Sequence, residues 1–315
     1  MPRLFLKGGL GMCTSIVTTS LNGDDLFGRT LDFPQRTPWA LTYLPRHFTW
    51  WDVVDSTRRP LHHALLGGMR PAGGHWLIAD AVNDAGLMAA ELYFPVAADY
   101  HSEPVPGKIN LSPESFLYWL LDDHQTVADV QADLSQVAVV ARKWFDNDKV
   151  FPFHWLVTDQ TGTYVIEPLD QTLVIRKNPA NILTNTPSLD QQFRRLNRKL
   201  GLGGEEFTSA TKQALIDYHG PDPATNNAVD RFMKAALARY RDQVHDPSSI
   251  NAFLKTVSIP KDDRHRYNYT HYRGLIDRNR QQYWFHNIMT GQSATQVLPE
   301  LMAKYDHVET WAQQH

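Results

Sequence analysis

The chain of 315 residues carries 31 basic and 34 acidic side chains, a formal net charge of -3, and 42% hydrophobic residues. That size suits a sizeable buried core, and charges mixed at near balance give no electrostatic reason for a nucleic-acid or anionic-membrane partner. A single cysteine excludes any intramolecular disulfide, and with it the small secreted disulfide scaffold, and fits a reducing, cytoplasmic setting.

The first segment, MPRLFLKGGLG, has an apolar stretch of only Leu4-Phe5-Leu6 before Lys7. A signal peptide needs an apolar run of ~7–15 residues, and nothing along the chain approaches the ~18 of a membrane span. Residues 1–12 therefore read as a leader, a propeptide or an unused upstream start, with Met12 placed where translation could begin, and residues 13–315 as one domain. Strands are expected at 13–20 (CTSIVTTS) and 26–33 (LFGRTLDF), joined through Asn22-Gly23 in a hairpin whose two turn positions both take positive φ. Further strands are expected at Leu41–Pro45, His75–Val82 and Leu87–Phe94, the last two joined through Asn83-Asp84-Ala85-Gly86.

Helices follow. Ser112 as N-cap and Pro113 at the first helical position open one, and Thr126–Leu134 is a second. A second set of strands comes at His154–Asp159, Thr163–Pro168 and Thr172–Lys177, then helices at Gln191–Leu200, Ala228–Arg241 and Ser249–Val257, and a last hairpin of HYRGLID with QYWFHNIM. Strand blocks alternating with helix blocks, without βαβ rhythm, predict an α+β fold of two facing antiparallel sheets with helices on the outer faces.

Cys13 opens the first strand directly after Met12. A lone cysteine is most often an inert core residue. If everything before it is removed, however, Cys13 carries a thiol and an α-amine that titrates at about 7.7–8.0. The amine can then take the thiol proton and later protonate a departing amine, with no histidine required. Downstream, Arg29 and Asp32 sit an odd number of residues apart on one strand. Their side chains face opposite sides, so a bend after Thr30 is expected if both are to reach Cys13; on their own they read as a surface ion pair. A papain-like pairing of Cys13 with His154, His271 or His286 is the catalytic alternative, and the strand at Cys13 argues against it because such enzymes use a helix N-terminus. The histidines, among them His62-His63 and His265 with His271, show no HExxH or Cys-rich spacing. Adjacent histidines on a strand point to opposite faces, so no metal and no cofactor are expected.

The string MCTSIVTT…LFGRTLDF, with YLPRHF behind it, resembles the choloylglycine hydrolase family of bile salt hydrolases and penicillin V acylases. HWLIADAVNDAGLMAAELYFP, FHWLVTDQTGTYVIEP, ILTNTP, DRFMKAALAR and THYRGLID continue the similarity in order to about residue 295. The resemblance implies a four-layer αββα sandwich, the N-terminal-nucleophile hydrolase fold, and hydrolysis of a linear amide C–N bond in a small molecule. By the same resemblance Cys13 is nucleophile and base, Asp32 orients its amine, Arg29 lies beside the thiol and favours thiolate, Asn185 donates to the oxyanion, and Arg231 supports the site. Tyr93, at a position where bile salt hydrolases carry Asn, contributes its backbone N–H to the oxyanion hole and a flat face for an aryl acyl group. This favours a penicillin V acylase-like enzyme over a bile salt hydrolase or an N-acyl-homoserine lactone acylase. A homotetramer is implied too. Two departures bear on the substrate pocket: Asp230 next to Arg231, which bears on how that arginine is oriented, and a loop at Gly201–Pro223 without the family's Gly-rich stretch. A retained leader would instead fit an inactive precursor or a ligand-binding homologue.

Overall fold

The computed structural model describes residues 13–33, 37–145, 148–263, 265 and 268–313. The leader expected at residues 1–12 lies outside them. In chain order the strands are β1 (Thr14–Thr19), β2 (Asp25–Phe33), β3 (Ala40–Leu44), β4 (Thr49–Trp50), β5 (Arg59–Pro60), β6 (Leu65–Ala72), β7 (His75–Asn83), β8 (Met88–Tyr93) and β9 (Ile109–Leu111). After helices α1 (Phe116–Asp122) and α2 (Val127–Asp133) come β10 (Val137–Val139), β11 (Phe153–Asp159), β12 (Gly162–Leu169), β13 (Thr172–Lys177) and β14 (Ile182–Thr184). Four helices follow, α3 (Leu189–Lys199), α4 (Ser209–Ile216), α5 (Ala228–Tyr240) and α6 (Pro247–Val257), then β15 (Tyr269–Asp277), β16 (Gln282–Asn287), β17 (Ser293–Val297), α7 (Leu298–Lys304) and β18 (Glu309–Trp311).

Two large antiparallel sheets carry the fold. One runs β14-β1-β2-β15-β16-β17 and the other β13-β12-β11-β8-β7-β6-β3-β18. Helices α5 and α6 pack on the outer face of the first, against β14, β1, β2 and β15, while α1 and α2 cover β7, β8 and β11 of the second. This is the αββα sandwich expected from the strand and helix blocks. In the central strands of both large sheets both faces are buried. Accordingly β3, β11 and β15 are buried at every position and do not alternate apolar with polar.

Two helices begin within a residue of where the sequence places them. Thr126 caps α2 in a capping box with Asp129, and Asn227 caps α5 by accepting from the amide of Asp230. Other local signals differ. Ser112 has the N-cap backbone, but its hydroxyl donates to Asp52 at 2.6 Å and caps nothing; the turn it opens is 3-10 at Pro113–Ser115 before α1 begins. In the β1–β2 hairpin only Gly23 of the Asn-Gly pair has positive φ, at 87°. Ser20 N donates to Asp24 O and Gly23 N to Ser20 O, so this is a three-residue loop closed by a left-handed glycine. The Gly201–Pro223 loop contains α4, started by a Thr208/Thr211 capping box.

Polar side chains cross between the sheets and pin them. Tyr272 on β15 and Tyr283 on β16, both fully buried, donate their hydroxyls to the two oxygens of Asp80 on β7, the Tyr283 bond at 2.5 Å. Tyr272 passes over Gly68 of β6, and Tyr283 lies against Gly274 of β15. A Cβ at either glycine would fall far inside van der Waals contact with the hydroxyl. Gly68→Ala is therefore expected to destabilise by about 1–3 kcal/mol through overpacking. A lowered urea midpoint at unchanged m-value reads that loss; an unchanged midpoint would show that Tyr272 is free to move.

Candidate active site

Strand β1 lies between β14 and β2, with Thr14 paired to both Thr184 and Thr30. Continuing that register one residue sets Cys13 beside Asn185 on one side and Leu31 on the other. Cys13 is 3% exposed, and its Sγ donates to the main-chain oxygen of Asp32 at 3.6 Å.

Strand alternation sends Arg29 and Asp32 to opposite faces, as their spacing requires. β2 runs unbroken from Asp25 to Phe33, so the bend expected after Thr30 is absent. It is not needed, because Cys13 lies at a strand end where one residue is reached from both faces. On the face toward the second sheet, Arg29 Nη1 donates to Ala79 O at 2.5 Å and to Asp80 at 3.1 Å, and Nη2 donates to Glu91 O at 3.1 Å. On the helix face, Asp32 accepts from Arg231 Nη1 at 3.2 Å and from the Thr270 hydroxyl. Arg231, projecting from α5, also donates to Thr14 Oγ1 at 2.8 Å. Both guanidinium-carboxylate pairs, Arg29–Asp80 and Arg231–Asp32, are completely buried, so neither is the surface ion pair that Arg29 and Asp32 suggest when read alone. The irregularity sits in β15, where the register shifts between Thr270 and Tyr272 and leaves His271 as the extra residue.

Burial raises the Cys13 thiol above its ordinary value, against the lowering effect of Arg29 and, more weakly, of the Asp32 carbonyl and Arg231; the Asp32 charge adds to the rise. Arg29 thus favours thiolate as expected, but desolvation outweighs it, and the resting group is a thiol that needs a base. Burial also lifts Asp32 to about 6, despite Arg231, Thr270 and Arg29 pulling it down.

The histidines offered as bases lie elsewhere. His154 is buried, stacked on Phe94, with Nδ1 3.5 Å from Glu167. His271 places Nε2 at 3.2 Å from Phe33 O, and burial lowers it to about 4; His286 contacts Ser293. Among the described residues none of the three hydrogen-bonds Cys13. His62 and His63 occupy a loop, not a strand. His63 pairs with Asp84, while His62 groups with Asp122 and Asp123. The Asp122 oxygens there already accept from His62 N and Trp50 Nε1, and His265 pairs with Asp262.

Tyr93 ends β8, half-buried. Its carbonyl accepts from Thr186 N at 3.3 Å. In a strand the N–H and C=O of one residue point the same way, so the Tyr93 amide also faces the Asn185–Thr186 segment. Its ring stands edge-on to Phe151, with centroids 6.4 Å apart, and Phe151 stacks on Phe33 at 5.4 Å. Asn185 is buried. Gln192 of α3 holds this segment by donating to Asn185 O and Thr184 Oγ1, each at 3.1 Å. Asp230 does not disturb Arg231: it turns to Lys199, Thr225 and Asn227. Beyond Asn185 and Thr186 a cavity of about 700 Å³ runs along α3 to the start of α5.

The structure thus brings Cys13, Arg29, Asp32, Asn185, Arg231 and the Tyr93 backbone to one end of the sandwich. Asp80, Tyr272, Tyr283, Thr14 and Thr270 complete the arrangement and were not singled out from the sequence. The one signal for them was Asp80, an acid in the middle of an apolar strand, a position that demands a partner.

The family model described as linear amide C-N hydrolases, choloylglycine hydrolase family, matches residues 13–298. A bile salt hydrolase/transferase of Clostridium perfringens is 30% identical over 252 residues, 76% of this chain and 75% of its own. The crystal structure of conjugated bile acid hydrolase from C. perfringens superposes with a TM-score of 0.80 at 22% identity, covering 95% of this chain and 96% of that one. Penicillin V acylase from Agrobacterium tumefaciens gives 0.71 at 21%, covering 95% and 90%. The two structures share the fold.

Removing Arg29 leaves Asp80 as a buried carboxylate without its cation. Arg29→Met is expected to cost about 3–5 kcal/mol in urea unfolding, and Asp80→Asn in the same chain to recover part of it. A double variant no more stable than the single would mean that the tyrosine hydroxyls, not Arg29, hold Asp80.

Proposed function

The chain belongs to the choloylglycine hydrolase family and is a hydrolase of non-peptide C–N bonds in linear amides; on that premise we propose that Cys13, freed of residues 1–12, is a single-residue nucleophile and base. The observation that carries this is the environment of the thiol: buried, raised in pKa, and hydrogen-bonded to a backbone carbonyl, with no histidine among the described residues hydrogen-bonded to it. A thiol so placed lacks a side-chain base, and its own α-amine fills that role. The family match beginning at residue 13 supports the same boundary.

In the reaction the neutral α-amine takes the thiol proton, and the sulfur attacks the amide carbonyl. The oxyanion meets the Asn185 side-chain amide and the Tyr93 N–H; losing one such donor costs about 3–4 kcal/mol in the barrier. The α-ammonium returns its proton to the departing amine, leaving a thioester on Cys13. Water, deprotonated by the same amine, releases the acid. Asp32, held by Arg231 and Thr270, accepts from the α-amine and fixes its direction. Arg29 opposes the burial penalty on the thiolate.

For the acyl group, the Tyr93–Phe151–Phe33 rings favour an aryl chain, and the reading is a penicillin V acylase-like enzyme. A bile salt hydrolase is the second reading, favoured by the C. perfringens relative of that name. Tyr93→Asn is expected to lower the ratio of penicillin V to glycocholate turnover about tenfold, the size of a lost aromatic contact; an unchanged ratio would remove Tyr93 from substrate choice.

Two further outcomes test the mechanism. Purified protein is expected to have a mass beginning at Cys13, and Cys13→Ala to lose turnover of both amides; an intact leader with full activity would overturn the α-amine as base. The pH profile of kcat/KM is expected to fall on the acid side as the α-amine, about 7.7–8.0 when unperturbed, takes up the proton that disables it as a base. Asp32, lifted by burial to about 6, is ionised where that limb lies and stabilises the α-ammonium, so Asp32→Asn is expected to move the limb to lower pH and to lower the rate. A limb in Asp32→Asn unchanged from wild type would show that Asp32 does not act on the amine.

A further inference from the structure

Helix α3 begins without a cap of its own. Ser188 holds the N-cap position, with φ -57° and ψ 159°, but its hydroxyl makes no capping hydrogen bond. The acceptor comes from the second sheet instead: Glu167 of β12 takes the Leu189 N–H on Oε1 at 2.9 Å. A carboxylate there satisfies one of the free N–H groups of the first turn and suits the positive end of the helix. Glu167 is 1% exposed, so the bond is made away from water.

Glu167 does not stand alone. Strands β11 and β12 pair at Trp155↔Ile166, and the next rung sets His154 opposite Glu167. The fully buried His154 places Nδ1 3.5 Å from the same carboxylate oxygen. Its ring stacks on Phe94, the residue directly after Tyr93, with centroids 4.3 Å apart. Glu167 is thus packed through His154 against the end of β8 and bonded to the start of α3. Both residues lie in the segment FHWLVTDQTGTYVIEP, and the reaction described above uses neither.

Residues Asn185 to Ser188 form the short link from β14 to α3. Gln192, one turn into the helix, donates to Asn185 O and to Thr184 Oγ1, and Thr186 N donates to Tyr93 O. Gln192 holds Asn185 in place only while the start of the helix is itself fixed, and Glu167 is bonded to that start. We propose that Glu167 is a positioning residue: by capping α3 it sets the Asn185–Ser188 segment, and with it the amide that meets the oxyanion. This rests on the reading of Asn185 as oxyanion donor. Such a donor must stand about 2.7–3.1 Å from the developing oxyanion, so a small drift of the segment costs rate while substrate affinity stays in place.

The test is a double-variant cycle on whichever of penicillin V and glycocholate the purified enzyme turns over. Glu167→Leu is expected to lower kcat about tenfold to a hundredfold with KM within about twofold. Glu167→Gln, whose amide oxygen still accepts from Leu189, keeps most of the rate. Added to Asn185→Ala, Glu167→Leu changes kcat by less than about twofold, because the donor it positions is already gone. Unchanged kcat in Glu167→Leu, an equal loss in the Gln variant, or an undiminished effect beside Asn185→Ala overturns the proposal. Should Glu167→Leu fail to fold, Leu189→Pro removes the same N–H from the other side, at a first helical position where proline is tolerated, and is read by the same kcat and KM outcomes. Wild-type kcat in Asn185→Ala, or turnover of neither amide, counts against the functional reading alone. The positioning is then decided by hydrogen exchange across residues 185–192: faster in Glu167→Leu than in wild type if Glu167 holds the segment, unchanged if it does not.

Discussion

The buried guanidinium of Arg29 organises the centre of the sandwich. Strands β7 and β8 pair from Val82↔Met88 to Asp80↔Ala90. The next rung would join Ala79 to Glu91, and those two carbonyls instead accept from Arg29, which arrives from the opposite sheet. The guanidinium replaces a rung of the ladder. Beyond it β8 is released from β7, and the Tyr93 carbonyl and amide turn to the Asn185–Thr186 segment. Asp80 balances the charge, and Tyr272 and Tyr283 complete the carboxylate's shell. A buried ion pair is weak evidence for stability when set against an apolar replacement, but here it also positions the groups around Cys13.

A second buried pair, Arg231–Asp32, lies on the other face of β2. Cys13 therefore has a cation on each side, and both favour its thiolate against burial and the Asp32 charge. Desolvation prevails, the thiol stays protonated, and Asp32 sits near 6. On the mechanism proposed for Cys13, a buried thiol needs the amine of its own residue, which a standing thiolate would not.

The two sides of Asn185 are built differently. Rings from three separate elements, β2, β8 and the segment before β11, meet on one side, whereas the face of a single helix, α3, lines the cavity with cations on the other. Gln192 of that helix also holds the Asn185 backbone, so Asn185 and the cationic cavity wall are tied to one rigid element.

Local order was legible in the sequence because it is written in short-range patterns. The β-rich runs CTSIVTTS and LFGRTLDF, the helix start at Thr126 and the turn glycines act over a few residues, and most of these elements form near where they were read. Parity placed Arg29 and Asp32 on opposite faces correctly; the inference that a bend must follow failed because it ignored that a strand-end residue is reached from both sides. Strands β6, β14, β17 and β18 were not read, since their residues become strand only by pairing with distant partners. Cys13 and Asn185 could be named from motif resemblance, but that Asp80, Tyr272 and Tyr283 meet Arg29 depends on two sheets packing face to face. The chain alone determined most of the longer strands and helices, and where the one thiol stands among them. The tertiary structure decided which buried charges neutralise one another, because Arg29 meets Asp80 51 positions away in the other sheet and Arg231 meets Asp32 199 positions away from a helix, and no local pattern of side chains encodes that choice.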